Sequence, residues 1–146
     1  MISVIITAYK EPRTIAKAVS TILSQISSKD EILVIAPDKE TLNEAEKISK
    51  KDKRVKLVKD QAKGKPSAMN LAVKKSKGDI LIWTDGDISI SKDAISKLIS
   101  PFSNKEIGAV TGRPVSTDSI KNKFGFWAYM LSNIAHEQRL EQSRNN

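Results

Sequence analysis

Two aspartates separated by a single glycine, Asp85-Gly86-Asp87, follow the apolar run Ile80 to Thr84. The glycine lets the backbone turn tightly, so both carboxylates can converge on one divalent cation, which would neutralise a bound diphosphate. The same Asp-Gly pair between apolar runs is also a hairpin cue. Against the hairpin, Ile88-Ser89-Ile90 is very short and leads into a helical pattern that Ser91 is placed to cap. Gly64-Lys65-Pro66-Ser67 invites a phosphate-loop reading and fails it. Lys59 stands where the first glycine would be, and Pro66 stands where a hydroxyl residue is required. No G-x-G-x-x-G follows the first apolar run, which removes the dinucleotide fingerprint. What remains at Gly64-Lys65 is a helix amino terminus beside an ammonium, a general anion site.

The elements that must position these residues are short apolar runs alternating with segments of helical period, the pattern of an α/β protein with a largely parallel sheet. Five strands are expected: Ser3 to Ala8, Glu31 to Ile35, Val55 to Val58, Ile80 to Thr84 and Gly108 to Thr111. Most read as near-continuous apolar runs, as strands covered on both faces do. Helical spacing runs from Ile15 to Ile26 after Pro12, which suits an early helical position. It recurs over Leu42 to Lys51 and Ser67 to Lys75, and over Ala94 to Ile99, where Pro101 stops it. In open parallel sheets ligands bind beyond the carboxyl ends of the strands. Those ends carry Tyr9-Lys10-Glu11, Pro37-Asp38, Lys59-Asp60 with Gly64-Lys65, and Asp85-Gly86-Asp87. Each alone is explained as a loop or a cap; their joint placement on one sheet edge is the informative feature.

With 146 residues, 39% apolar and 29% charged, the chain can bury a sizeable core. It has no cysteine, which excludes disulfides, thiolate metal sites and a cysteine nucleophile, and its single histidine, His136, removes most remaining metal and triad chemistry. Carboxylates, hydroxyls, lysines, arginines, backbone amides or a hard metal ion are left. The formal charge of +8 favours polyanionic partners: a phosphate-bearing small molecule, nucleic acid or an anionic membrane surface. Lysines crowd residues 47–77, but aromatics make up only 5% of the chain and are not interleaved with them, so a stacking platform for single strands is poorly supported. No run approaches the ~20 apolar residues of a membrane span, and Val4-Ile5-Ile6 is too short for a signal peptide. A cytoplasmic location follows as the expectation, with membrane association through one helix. In that helix Ile120, Phe124, Trp127, Leu131 and Ile134 fall on a single stripe, expected to dock on the sheet or on a further segment. Left uncovered, the helix at 120–134 would favour membrane-surface contact or a homodimer.

In order, Val4 to Glu11 (VIITAYKE), Ile35 to Asp38 (IAPD), Gly64 to Asn70 (GKPSAMN) and Trp83 to Asp87 (WTDGD) resemble the nucleotide-sugar half of family 2 glycosyltransferases. The resemblance runs from the first residues to about Pro114. It implies the A-type glycosyltransferase fold, a Rossmann-like, mostly parallel sheet with helices on both faces. It also implies a donor-binding domain over residues 1–114. Residues 115–146 would then be the amphipathic helical start of an acceptor region that is truncated or missing. By the same resemblance Thr7, Ala8, Tyr9 and Glu11 cradle nucleobase and ribose, and Asp38 accepts a hydrogen bond from the base. Lys65 and Asn70 border the diphosphate, Asp85 lies near ribose or sugar hydroxyls and on the metal, and Asp87 binds Mg²⁺ or Mn²⁺. The implied reaction transfers the sugar of a nucleoside diphosphate, a uridine diphosphate first, with inversion to a sugar, lipid or protein acceptor, and no nucleic acid is expected as partner. Lys10 departs from the family's more frequent asparagine, Ala36-Pro37-Asp38 replaces a pair of aspartates, and the Q-x-x-R-W element is absent. After Asp118 only Glu137 and Glu141 could serve as general base, both at ordinary surface spacing, so the catalytic base is unassigned. The alternative is a non-catalytic module binding nucleic acid or an anionic surface. A nucleotidyltransferase ranks lower, because its glycine- and arginine-rich loop after the first strand is missing.

Overall fold

Branched aliphatic side chains dominate two runs, β1 (Ile2–Thr7) and β2 (Glu31–Ala36), and both strands are buried along nearly their whole length. In the computed structural model, which describes residues 1–144, they pair in parallel with β3 (Val55–Lys59) and β4 (Ile80–Asp85). The strand order is β3-β2-β1-β4. Side chains alternate across the sheet. Val4, Ile6, Ile32 and Val34 pack on α1 (Ile15–Leu23) and on Ala45 of α2 (Lys39–Ser49), with Ile95 of α4 (Ala94–Ile99) in the same core. Ile5, Leu33 and Ile35 pack on Ala68 and Ala72 of α3 (Lys65–Lys75) on the other face. Each buried Ile or Leu contributes about 1.5–3 kcal/mol by leaving water. The expected parallel sheet with helices on both faces is therefore the fold of this region.

Several local expectations need correction. β1 and β2 are covered on both faces, whereas β3 and β4, outermost in the sheet, are only half covered; Trp83 of β4 is 38% exposed. Gly108 to Thr111 is irregular and exposed rather than a fifth strand: apolar composition alone does not make a strand. Helix α1 starts at Ile15, not near Pro12, because the Glu11 carbonyl accepts from Thr14 N–H and Ile15 N–H and so sets the first turn. Ser91 caps nothing with its side chain. Its carbonyl accepts from Ala94 N–H, and Asp93, at φ 62°, occupies the cap position.

The chain divides into two compact units, the sheet-bearing Met1–Ile107 and a second from Gly108 onward. The second holds α5 (Lys123–Arg144), capped by Asn122, whose Oδ1 accepts Gly125 N–H at 2.7 Å. Of the stripe expected to be covered, Ile120, Phe124, Trp127, Leu131 and Ile134 are exposed. Phe126, Tyr129 and Leu140 are exposed too, and at 100° per residue they fall on the opposite side, so apolar residues stand on two sides of the helix rather than in one stripe. No helix among the described residues is long and apolar enough to cross a membrane.

At the amino ends of the strands a polar cluster ties the sheet together. Glu31, 3% exposed, accepts from Ser3 Oγ–H at 2.7 Å and from Lys77 N–H at 2.8 Å, and pairs with Lys56. Ser3 Oγ in turn accepts from Gly78 N–H at 2.8 Å. Gly78 must lack a side chain here, since a Cβ would stand 2.4 Å from the Ser3 nitrogen. Burial works against ionisation of Glu31, but its bonds from Lys56, Ser3 and Lys77 outweigh burial and hold its carboxyl below the ordinary 4.5. Such a group contributes stability above the unfolded value and loses it as pH falls through the folded one. Glu31→Gln is expected to lower stability at pH 7 by about 1–3 kcal/mol. The gap to wild type should close as pH drops below 4.5, read from urea unfolding curves across the acid range.

Candidate functional site

The chain leaves β1 toward β2 on the α1 side and returns to β4 across the α3 face, so the strand order reverses at β1 and opens a crevice at the carboxyl ends of β1 and β4. Thr7 and Asp85 end these strands in register with each other. Thr7 Oγ1–H donates to Asp85 Oδ1 at 3.1 Å, and Lys65 Nζ, at the start of α3, donates to the same oxygen at 2.6 Å. Gly86 N–H donates to the Thr7 carbonyl at 3.1 Å, which fixes the turn that carries Asp87.

The loop after β1 is held by α2. Asp38 is the N-cap of that helix: Oδ1 accepts from Thr41 N–H and Oδ2 from Lys10 N–H, both at 2.9 Å. The buried Thr41 hydroxyl accepts Glu11 N–H at 2.9 Å. These bonds hold Lys10 at φ 58°, a left-handed conformation that non-glycine residues adopt at a cost. Burial opposes ionisation of Asp38, but the bonds from Lys10 N–H and Thr41 outweigh it and keep its carboxyl below the ordinary range.

A cleft of about 470 Å³ runs along this edge. Of the residues singled out in the sequence, Thr7, Ala8, Tyr9, Glu11, Lys65, Asp85 and Asp87 line it together. Asp38 stands behind it, occupied with the backbone, and Asn70 is exposed on α3 away from the lining. Pro37 and Asp60, which the sequence places on this edge without an individual role, also line the cleft, with Asp60 and Ala62 as wall residues and Ile35, Pro37 and Ala68 as the apolar floor; Ala62 is the one among these that sequence reasoning did not single out. The available signal was the position of Asp60 just past β3; no motif marks it. Glu137 and Glu141 are exposed on α5.

Glu11 is the electrostatic oddity. Its Oε2 is buried without a hydrogen-bond partner, and a Cβ on Gly86 would stand 2.3 Å from it, so the Asp-Gly-Asp turn rests directly on this carboxylate. Burial, then the negative charges of Asp87, Asp85 and Asp38, raise its pKa above 4.5. Excess negative charge around an orphaned acceptor is an environment that a cation relieves. Among the described residues no group of three or more His, Asp or Glu side chains could hold a metal ion by itself. Two hard carboxylates on one turn nevertheless fit Mg²⁺ or Mn²⁺, which binds through one or two carboxylates and completes its shell with phosphate oxygens and water.

A family model described as Glycosyl transferase family 2 matches residues 3–145. An N-acetylglucosaminyltransferase of Azorhizobium caulinodans is 26% identical over 98% of this chain and 38% of its own length. One from Bradyrhizobium elkanii is 27% identical over 80% of this chain and 68% of its own. The poly-beta-1,6-N-acetyl-D-glucosamine synthase of Staphylococcus aureus is 30% identical over 84% of this chain and 29% of its own, so the chain spans well under half of two of these relatives. The crystal structure of S. aureus TarS 1-349 superposes with a TM-score of 0.63 at 19% identity, covering 83% of this chain and 40% of that one, a likeness of fold. That fold is the A-type glycosyltransferase fold.

Because its folded pKa is raised, ionised Glu11 opposes folding at neutral pH, and the penalty disappears below the unfolded value near 4.5. Glu11→Gln in metal-free protein should therefore raise the melting temperature at pH 7 and leave it unchanged below pH 4, as read by scanning calorimetry at both pH values.

Proposed function

Because the chain belongs to glycosyl transferase family 2, we propose that its cleft binds a nucleoside-diphosphate sugar with Mg²⁺ or Mn²⁺ and presents the sugar for transfer. The observation that carries this reading is the polarity of one continuous cleft. Asp85, Asp87 and Lys65 stand at the β4 side, and an apolar slot between Tyr9, Ile35 and Pro37 lies toward β2. The names of the relatives favour N-acetylglucosamine as the sugar, carried on uridine diphosphate, and a glycan as acceptor. Membership in an enzyme family displaces the non-catalytic alternative.

In this reading Asp87 and Asp85 hold the metal, which when bound supplies Lewis-acid stabilisation of charge on the departing diphosphate. Lys65 adds a positive charge on the diphosphate side, where its Nζ already meets Asp85. Thr7 fixes the Asp85 carboxylate, and the exposed Tyr9 ring offers a face to the nucleoside. Transfer is a single displacement. The acceptor oxygen bonds to the anomeric carbon as the bond from that carbon to the diphosphate oxygen breaks, which inverts the configuration. The acceptor proton goes to a general base that no residue of this chain is assigned to supply.

Calorimetric titration of the full chain with uridine diphosphate should show binding that strengthens with Mn²⁺. Asp87→Ala is expected to weaken the Mn²⁺-dependent component by tenfold or more, with little change in melting temperature, because Asp87 is exposed. Equal affinity in the two proteins would remove the metal assignment.

A further inference from the structure

We infer that Asp60, and not Asp38, reads the nucleobase, and that it selects a base whose ring nitrogen carries a hydrogen. The inference rests on the donor site proposed above and names the specificity-determining residue within it.

The position comes from the sheet. Strands lie about 4.8 Å apart, and β4 and β3 are separated by three such steps, so roughly 14 Å lies between the Asp85–Asp87 end of the cleft and the end beyond β3. That is of the order of the reach from a diphosphate to the far edge of its nucleobase. With the diphosphate at β4, the base edge arrives where Asp60 forms the wall above an apolar floor that includes Ile35 and Ala68.

The hydrogen bonds say which carboxylate is free to meet it. Asp38 has one oxygen on Thr41 N–H and the other on Lys10 N–H, and it does not line the cleft. Its work is to brace the loop that carries Tyr9. Asp60 lines the cleft, half-buried, with Oδ1 accepting Ala62 N–H at 2.6 Å. Among the described residues its second oxygen has no hydrogen-bond partner. Ala62 sits at φ 55°, so this short bond holds a residue in a conformation it would otherwise leave, and the carboxylate is anchored in the wall.

A carboxylate only accepts. Uracil offers N3–H and guanine N1–H with its amino group, whereas cytosine and adenine offer only an exocyclic amino group, beside a ring-nitrogen lone pair that an anion repels. A charge-assisted bond of this kind discriminates by about tenfold or more. The Asp60→Asn change keeps an oxygen for Ala62 N–H and turns an NH₂ toward the base, which replaces the acceptor by a donor.

The test is calorimetric titration of the full chain, in Mn²⁺, with uridine, guanosine, cytidine and adenosine diphosphates, for wild type, Asp60→Asn and Asp38→Asn. The expected result is that wild type prefers uridine or guanosine diphosphate at least tenfold over the other two. Asp60→Asn should lose most of that preference at an unchanged melting temperature, and Asp38→Asn should keep it. A readout that needs no variant is 3-methyluridine diphosphate, which has no N3–H and should bind wild type at least tenfold more weakly than uridine diphosphate. Preference intact in Asp60→Asn, or lost only in Asp38→Asn, overturns the assignment while the donor site stands. Equal binding of all four nucleotides, or of the methylated analogue, overturns it in the same way. No binding of any nucleotide by wild type removes the donor site and this inference together.

Discussion

The parallel register of β1 with β4 is the constraint on which the site depends, because it sets Thr7 level with Asp85 and both on the face that α3 covers. A strand slipped by one residue would send Asp85 to the opposite face, where Ile6, Ile15 and Ile82 pack. A lone carboxylate there would lose the Lys65 ammonium and the Thr7 hydroxyl and face only aliphatic carbon, a costly exchange. The buried alternation of β1 thus sets the register, and the register sets the chemistry. Reversal of strand order at β1 then leaves the crevice above these two residues uncovered by any crossover.

Charge works at two scales. The chain carries +8 overall, a field that draws in polyanions at long range. Inside the cleft the sign inverts: Glu11, Asp60, Asp85 and Asp87 line it, with Lys65 as the cation among them. A diphosphate steered there by the global charge would be repelled at the last step unless a divalent cation came with it. The proposed metal dependence follows from that mismatch, independently of any motif.

The parts of the fold that were legible in the sequence are those in which one physical effect dominates. β1 and β2 are near-continuous apolar runs because both their faces are buried, and α1 and α4 announce themselves by apolar spacing. Where two effects compete, the reading slipped. Gly108 to Thr111 has strand composition but is irregular and exposed, and the stripe from Ile120 to Ile134 has core composition but is exposed at Ile120, Phe124, Trp127, Leu131 and Ile134. Asp38 carries a second signal beside the resemblance, since an aspartate opening a helical segment is a standard N-cap, and it caps α2 here. Asp60 was visible only as a polar strand end, since the bond that anchors it runs to the backbone of Ala62, a residue that composition gives no reason to notice.

Stability and site occupy opposite ends of the same four strands. At the amino ends, Ser3, Glu31, Lys56 and the amides of Lys77 and Gly78 satisfy one another, and β1, β2, β3 and the entry to β4 are tied in a single cluster. At the carboxyl ends the rules are broken repeatedly. Lys10 and Ala62 hold left-handed conformations, Glu11 Oε2 is buried without a partner, and several carboxylates repel one another. Such violations persist only where surrounding structure over-determines them. Here that structure consists of the α2 cap, the Thr41 hydroxyl and the closely packed Gly86. The backbone strain at Lys10 and Ala62, the partnerless Glu11 Oε2 and the mutually repelling carboxylates share this edge, a local departure from the rules of stability that the proposed ligand and its cation would relieve.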